Sequence, residues 1–289
     1  MREAVIVSAA RTAIGRAKKG SLRDTRPEYF ASKMIEGLVE RTPGLEKEMV
    51  GDIIMGCAMP EGEQGMNVAR LIGLAAGFPT SVPAITVNRF CCSGSQTIAL
   101  AADSIRAGNS NVVIAGGVES MSMVAMGGNK PIAYPGLMES MPNAYAAMGT
   151  TAEVVAKRYE ITREMQDEFA YNSHRKAVAA IEAGKFADEI VPLEVRVREN
   201  GKWREFVFDT DEGPRADTTV EGLAKLKPVF DPMGTVTAGN ASQINDGAAA
   251  VVIMGSDVAE AMGLEPIASV RHWAVAGVDP DEMGIGPTA

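Results

Sequence analysis

One cysteine lies where a buried strand is expected to meet a helix. Cys91 follows the apolar run 84–87 and precedes Ser93 and Gly94, after which a helical pattern continues to residue 107. A side chain at such a junction lies over the unpaired N–H groups of the helix, whose dipole favours a thiolate over a thiol. Because strand–nucleophile–helix elbows present nucleophiles in this way, Cys91 is a candidate nucleophile. A packing role stays open, since free cysteines are among the most buried residue types.

The flanking sequence alternates short apolar runs with helical patterns. These patterns predict strands at 4–7, 53–55, 84–87 and 112–115, and helices near 30–38, 66–76 and 93–107. Further strands are predicted at 248–254 and 267–275, with Ser256 capping a helix between them. Continuous apolar strands that alternate with helices indicate an α/β fold with a largely parallel sheet covered on both faces.

The stretch 118–240 has a different texture and is predicted to be an insertion. Thr150 and Glu153 have the spacing of a capping box, and Thr162 is expected to cap a helix that Gly184 ends. The alternating residues 191–197, the pair Asn200-Gly201 and the run 203–208 predict a β-hairpin. The acidic stretch 209–217 is expected to be a solvated loop.

Composition excludes several classes of protein. The chain has 289 residues, 46% of them hydrophobic, with 28 Lys and Arg against 37 Asp and Glu, a net charge of −9. An acidic chain without a basic block is not typical of a nucleic-acid or anionic-membrane binder. Three cysteines cannot form a disulfide framework, and no apolar stretch approaches bilayer length, so we expect a cytoplasmic location.

Four sequence motifs, in order, resemble those of the thiolase family, the acyl-CoA acyltransferases. They are residues 7–15 (VSAARTAIG), 88–94 (NRFCCSG), 116–122 (GGVESMS), and 234–242 (GTVTAGNAS) with 246–249 (DGAA). Segments 56–70 and 166–177 further resemble the degradative 3-ketoacyl-CoA branch of fatty acid β-oxidation. The resemblance implies that the Cys91 thiolate takes an acyl group from a 3-ketoacyl-CoA. A second CoA would then remove the acyl group from Cys91. Condensation of two acyl-CoA units is the reverse reaction.

The resemblance also implies binding residues for coenzyme A, which would be a co-substrate rather than a permanently bound cofactor. Six positions carry over: Ser242 at the pantetheine arm, Ala238 and Asn240 in the same wall, Met148 at the thioester end, Arg215 near the adenine or phosphates, and Phe230 against the nucleotide or pantetheine. Taken without the family, Ser242 is equally well a cap or turn residue and Arg215 a solvated charge. No ligand set at metal spacing is present in the sequence.

The implied architecture is a layered, thiolase-like α/β fold with a mainly parallel sheet. Residues 1–117 would form the nucleophile-bearing core and 118–240 a loop domain over the acyl-CoA site. Residues 241–265 would return to the core, and 266–289 would begin a C-terminal half that is expected to be mostly absent. Homo-dimers or homo-tetramers are implied by analogy alone. The alternatives are a condensing ketosynthase and a non-catalytic acyl-CoA-binding module.

The family's activating His, second Cys and Asn motifs have no counterpart in this sequence. Its histidines are His174, expected to pack on an apolar helix face, and His272, expected in a late strand. Neither matches the family's Gly-His-Pro segment, and Cys92 does not replace the acid/base Cys.

We therefore expect the 289-residue chain alone to show little or no thiolase turnover. Because Cys91 would lack its base, each step would be slow even if acyl-CoA binds. A steady-state assay of the purified chain with acetoacetyl-CoA and CoA measures this. Robust turnover would contradict the expectation.

Overall fold

The computed structural model describes residues 2–289, and these form two compact units. Unit 1 contains the chain up to Lys130, Phe186–Gly213 and Ile244–Trp273, and unit 2 contains Pro131–Lys185, Pro214–Gln243 and Ala274–Ala289. This division differs from the boundaries expected at 117, 240 and 265. Part of the difference comes from the hairpin, whose buried residues Leu193 and Val195 belong to the core of unit 1 and bring Phe186–Gly213 into that unit.

A mixed β-sheet forms the centre of unit 1. Its strands are β1 (Ala4–Arg11), β2 (Gly15–Arg16), β3 (Asp52–Gly56), β4 (Ala84–Val87), β5 (Val112–Ser120), β8 (Asn245–Gly255) and β9 (Ala268–Ser269), whereas β6 (Leu193–Glu199) and β7 (Lys202–Phe208) form a separate two-stranded sheet. Within residues 2–289 the sheet order is β4-β3-β5-β8-β1-β9, with β2 beside β8. β3 is parallel to both β4 and β5, whereas β8 is antiparallel to both β5 and β1. Strands β1, β3, β4 and β5 thus share one direction, which confirms the mainly parallel sheet.

Helices cover both faces of this sheet. The helices of unit 1 are α1 (Pro27–Glu40), α2 (Val68–Ala75), α3 (Ser93–Arg106) and α8 (Ser256–Ala261). The helices of unit 2 are α4 (Pro135–Ser140), α5 (Met148–Arg158), α6 (Arg163–Glu182) and α7 (Val220–Ala224). Because side chains alternate along a strand, Ile114 of β5 joins the cluster that contains Phe30 of α1 and Ile72 of α2. Its neighbour Val113 joins the opposite cluster, with Ile105 of α3.

The sequence predicted correctly those features that depend only on neighbouring residues, namely the hairpin turn and the two ends of α6. Asn200 and Gly201 have φ values of +50° and +79°, the left-handed pair that a tight hairpin turn requires, and they join β6 to β7. The Oγ1 atom of Thr162 accepts from the Met165 N–H at 3.3 Å and caps α6, and Gly184 follows its end with φ +66°.

The predicted capping box at Thr150 is wrong. Helix α5 begins at Met148, so Thr150 lies inside the first turn. The carboxylate of Glu153 instead accepts hydrogen bonds from the backbone of Thr235 and Val236. Ser256 is likewise the first residue of α8 rather than its cap, which is Gly255.

Two further expectations are met only in part. The strand expected at 267–275 is limited to Ala268–Ser269, which pairs with Val5 and Ile6 of β1. The acidic stretch 209–217 is a loop, and its residues 209, 210 and 215–217 are exposed as expected, but Asp211 forms an ion pair with Arg11 at 2.7 Å.

A glycine lets α3 approach the end of β3 closely. A Cβ atom on Gly56 would lie 2.6 Å from the Cβ atom and 2.7 Å from the backbone carbon of Ser93, the first residue of α3. No real side chain tolerates such distances, so the start of α3 depends on the missing Cβ.

We expect Gly56→Ala to lower the free energy of unfolding by about 1–3 kcal/mol, because the start of α3 must shift to relieve the overlap. Gly94→Ala is the matched control, since a Cβ there meets no heavy atom of the described chain within 4 Å. Its effect should stay within about 1 kcal/mol. Urea unfolding of both variants gives the comparison, and equal stabilities would contradict the steric account.

Candidate active site

Cys91 lies in the connection between β4 and α3, at the junction that the sequence predicts. β4 ends at Val87, a 3₁₀ turn spans Phe90–Cys92, and α3 begins at Ser93. Cys91 is an exposed residue of unit 1.

The turn contains a strained residue, Phe90, which has a φ of +46°. Left-handed backbone is costly for a bulky side chain and persists only when neighbouring contacts impose it. The Asn88 Oδ1 atom accepts from the Phe90 N–H at 2.8 Å. The buried Ser93 hydroxyl donates to the Phe90 carbonyl at 2.6 Å and accepts from the Arg89 N–H at 2.7 Å. These contacts define the elbow, residues 88–93, that presents Cys91.

The three cysteines have different environments. Cys91 and Cys92 are exposed, and the Cys92 thiol donates to the Arg89 carbonyl at 3.0 Å. Cys57 is buried, and burial, assisted by the nearby Glu119 carboxylate, raises the pKa of its thiol to about 12. Because a thiol must ionise to act as a nucleophile, Cys57 is unreactive at neutral pH.

The other six candidate residues all belong to unit 2. They are Met148, Arg215, Phe230, Ala238, Asn240 and Ser242. The Phe230 ring packs against Gly149, the neighbour of Met148, and occupies the position that a Cβ atom on Gly149 would need. Phe230 and Met148 each keep a large exposed fraction, 47% and 40%, and their apolar surface remains accessible within this unit.

Asn240 shapes the loop 234–242 that carries three of these residues. Its Oδ1 atom accepts from the Thr237 N–H at 2.7 Å, and its Nδ2 atom donates to the Thr235 carbonyl at 3.1 Å. Ala238 and Ser242 are exposed on this loop, and the Ser242 hydroxyl donates to the Gln243 carbonyl at 3.4 Å. Asn240 is therefore a structural member of the loop, whereas the Ser242 hydroxyl is accessible.

Two carboxylates that the sequence reasoning missed hold this loop in place. Glu153 accepts from the Thr235 N–H at 2.9 Å and from the Val236 N–H at 2.7 Å. Asp167, only 3% exposed, accepts from Asn240 at 2.9 Å and pairs with Arg163 at 2.8 Å. Asp167 lies four residues after Arg163 on α6, the spacing of a helical ion pair, and this spacing could have identified it from the sequence. Glu153 lies three residues after Thr150, and that spacing pointed instead to a capping box.

Arg215 and His174 are associated in a different part of unit 2. The exposed Arg215 side chain pairs with Asp217 at 3.0 Å, an interaction that lowers the pKa of the Asp217 carboxyl. The Arg215 N–H donates to the Nδ1 atom of His174 at 3.2 Å. His174 is thus a half-buried residue that also accepts a hydrogen bond, a contact that its expected packing role did not include. His272 is exposed in unit 1, outside the short strand β9.

No helix within residues 2–289 has the length and apolar content that a bilayer span requires. The same residues include no group of three or more His, Cys, Asp or Glu side chains placed to hold a metal ion.

Comparisons with known proteins agree on one family. Residues 4–257 match the family model described as Thiolase, N-terminal domain. The chain is 51% identical to the 3-ketoacyl-CoA thiolase of Bacillus subtilis, over 99% of this chain and 74% of that protein. It is 45% identical to the acetyl-CoA acetyltransferase of Pseudomonas aeruginosa, over 100% of this chain and 75% of that protein. The crystal structure of the Bacillus anthracis acetyl-CoA acetyltransferase matches with a TM-score of 0.86 and 43% identity, covering 99% of this chain and 74% of that one.

We expect Glu153→Gln to loosen the loop 234–242, because the amide loses the negative charge that strengthens these bonds and places an NH2 donor where the second carboxylate oxygen accepts from Thr235. Hydrogen exchange at the Thr235 and Val236 amides should become roughly 10-fold faster, the effect of losing about 1–2 kcal/mol of local stability. Glu168→Gln, at an exposed position of α6, is the control. Unchanged exchange at both amides would show that Glu153 does not hold the loop.

Proposed function

The chain belongs to the thiolase family, and from this premise we propose that it is an acyl-CoA C-acyltransferase with Cys91 as its nucleophile. The observation that carries the choice of Cys91 is the elbow, which holds this exposed cysteine in the middle of the 3₁₀ turn, one residue before the N-cap of α3. Of the other cysteines, Cys57 is buried with a raised pKa, and the Cys92 thiol donates to a backbone carbonyl.

The proposed reaction is thiolytic cleavage of a 3-ketoacyl-CoA in two steps. The Cys91 thiolate attacks the keto carbon, and the bond between C2 and C3 breaks. The departing acetyl-CoA enolate takes up a proton, which leaves the shortened acyl group on Cys91 as a thioester. The thiolate of a second CoA then attacks that thioester, releases acyl-CoA and regenerates the Cys91 thiolate. Dividing the transfer in this way is characteristic of covalent catalysis, and the reverse sequence is a Claisen condensation.

The elbow supports this chemistry in two ways. It places Cys91 near the partial positive charge at the start of α3, which attracts the negative charge that develops in each attack. The Cys91 N–H is proposed as one donor to the oxyanion that forms during each attack, a role that requires a fixed donor. The positive φ of Phe90 and the two contacts of the Ser93 hydroxyl supply the required rigidity.

The coenzyme A contacts are proposed for the six residues of unit 2. Ser242, Ala238 and Asn240 would line the pantetheine arm, Met148 the thioester end, and Phe230 the nucleotide or pantetheine. The accessible Ser242 hydroxyl and the exposed Phe230 ring support these roles. Arg215 would contact the adenine or phosphates. Because its guanidinium already pairs with Asp217, it would have to bind both groups at once.

The setting of the activity is also a proposal. The small, odd number of cysteines favours a reducing compartment, and we place the enzyme in the cytoplasm. Self-association into homo-dimers or homo-tetramers is supported by the apolar outer strand β4, where Ile85 is 47% exposed. Coenzyme A would act as co-substrate, without a permanently bound cofactor.

Incubation with acetyl-CoA is expected to add one acetyl group to the chain, located on Cys91 by mass spectrometry of its peptides. Cys91→Ala should lose the adduct, whereas Cys92→Ala, a matched substitution of the adjacent exposed thiol, should keep it. Binding of acetyl-CoA without any adduct would favour the alternative, a non-catalytic acyl-CoA-binding module. An adduct that persists in Cys91→Ala would exclude Cys91 as the nucleophile.

A further inference from the structure

Glu119, in the second-last position of β5, accepts hydrogen bonds from the segment 58–59 and from Gln64, all in unit 1. Its Oε2 atom accepts from the Ala58 N–H at 2.7 Å, and its Oε1 atom accepts from the Met59 N–H at 3.3 Å. The Oε1 atom also accepts from the amide of the fully buried Gln64 at 2.7 Å. Because each of these partners is a donor, the position requires a group that only accepts, which an ionised carboxylate is.

Gln64 braces this arrangement from the other side. Its Nε2 atom also donates to the Met59 carbonyl at 2.9 Å, and its Oε1 atom accepts from the Ser120 N–H. The segment 58–59 is therefore fixed to the end of β5 by both side chains. A partly buried carboxylate is costly to retain unless its hydrogen bonds are satisfied, and here Ala58, Met59 and Gln64 satisfy them.

The fixed segment is in turn bonded to the elbow. The Asn88 Nδ2 atom donates to the Ala58 carbonyl at 3.0 Å, while the Asn88 Oδ1 atom accepts from the Phe90 N–H at 2.8 Å. Glu119 thus holds the N–H of Ala58, and Asn88 connects the carbonyl of Ala58 to the strained residue that precedes Cys91.

We infer that Glu119 is a positioning residue for Cys91, acting through Ala58, Asn88 and Phe90; its catalytic relevance rests on the proposed function. With the carboxylate in place, Asn88 is oriented and holds Phe90 in the left-handed conformation. Without it, Phe90 relaxes towards an ordinary negative φ, and the Cys91 thiol turns away from the start of α3. None of the Glu119 contacts described above reaches Cys91 itself, so its effect is exerted on position.

The test measures alkylation of each exposed thiol by iodoacetamide, with intact-mass detection. The Cys91 rate is measured in the Cys92→Ala background and the Cys92 rate in the Cys91→Ala background. Glu119→Gln, Asn88→Ala and Asn88→Asp are added to each. Glu212→Gln is the matched control, because Glu212 is a half-buried carboxylate of unit 1 that accepts from the Ser21 and Arg16 N–H groups instead.

Glu119→Gln and Asn88→Ala should each slow the Cys91 reaction about three- to fivefold, because the displaced sulfur no longer attacks beside the partial positive charge at the start of α3. The Cys92 rate should change less than about twofold, as should both rates in Glu212→Gln. Asn88→Asp keeps an oxygen for the Phe90 N–H and should recover part of the Cys91 rate. Circular dichroism checks folding, and the exposed Asn88 provides the test if Glu119→Gln does not fold.

Equal slowing of Cys91 and Cys92, or the same loss in Glu212→Gln, would reduce Glu119 to a general stabiliser and overturn the inference. An unchanged or faster Cys91 rate in Glu119→Gln would overturn it as well. Iodoacetamide needs no recognition of CoA, so this outcome is independent of acetyl-CoA labelling. Failure of the wild-type chain to be acetylated would count against the proposed function alone.

Discussion

The geometry of the candidate active site depends on one strained backbone position, Phe90. Its left-handed φ turns the chain from β4 into α3 within a few residues and leaves Cys91 at the start of the helix. A bulky residue in this conformation is stable only because Asn88 and Ser93 bond its N–H and its carbonyl. The close approach of Ser93 to Gly56 then joins this local turn to the sheet. The proposed nucleophile Cys91, helix α3 and the sheet are therefore coupled by short-range contacts at a single corner.

Both units use the same physical device to shape irregular backbone. A carboxylate on a regular element accepts from neighbouring N–H groups of a loop, as Glu119 of β5 does for Ala58 and Met59. Glu153 of α5 does so for Thr235 and Val236. A loop has no ladder partner for these donors, and a charged acceptor satisfies two of them more strongly than a neutral one. The conformation of each loop thereby becomes a property of the rigid element beside it.

Features that depend on residues close together in the sequence could be predicted, whereas contacts between distant residues could not. The elements with complete local signals, such as the hairpin turn at Asn200-Gly201 and the helix capped by Thr162, were predicted with nearly correct boundaries. Cys91 could be singled out because apolar strand, cysteine and helix are adjacent in sequence. Glu153 was misread because its partners lie 82 and 83 residues further along the chain, and local spacing offered a false alternative. The ion pair between Asp211 and Arg11, 200 residues apart, was missed for the same reason. No local pattern could reveal these pairs, since the fold alone brings their members together.

The order of the sheet has a consequence for how the polypeptide is made. Strand β8, which begins at Asn245, lies between β5 and β1 and pairs with both. During synthesis, β1 therefore emerges from the ribosome more than 200 residues before its first ladder partner exists. Until then the apolar edges of β1 and β5 are unpaired, and such edges are sites of misassociation in nascent proteins. Completion of this sheet is thus a late event in synthesis, because neither β1 nor β5 gains this partner before β8 has left the ribosome.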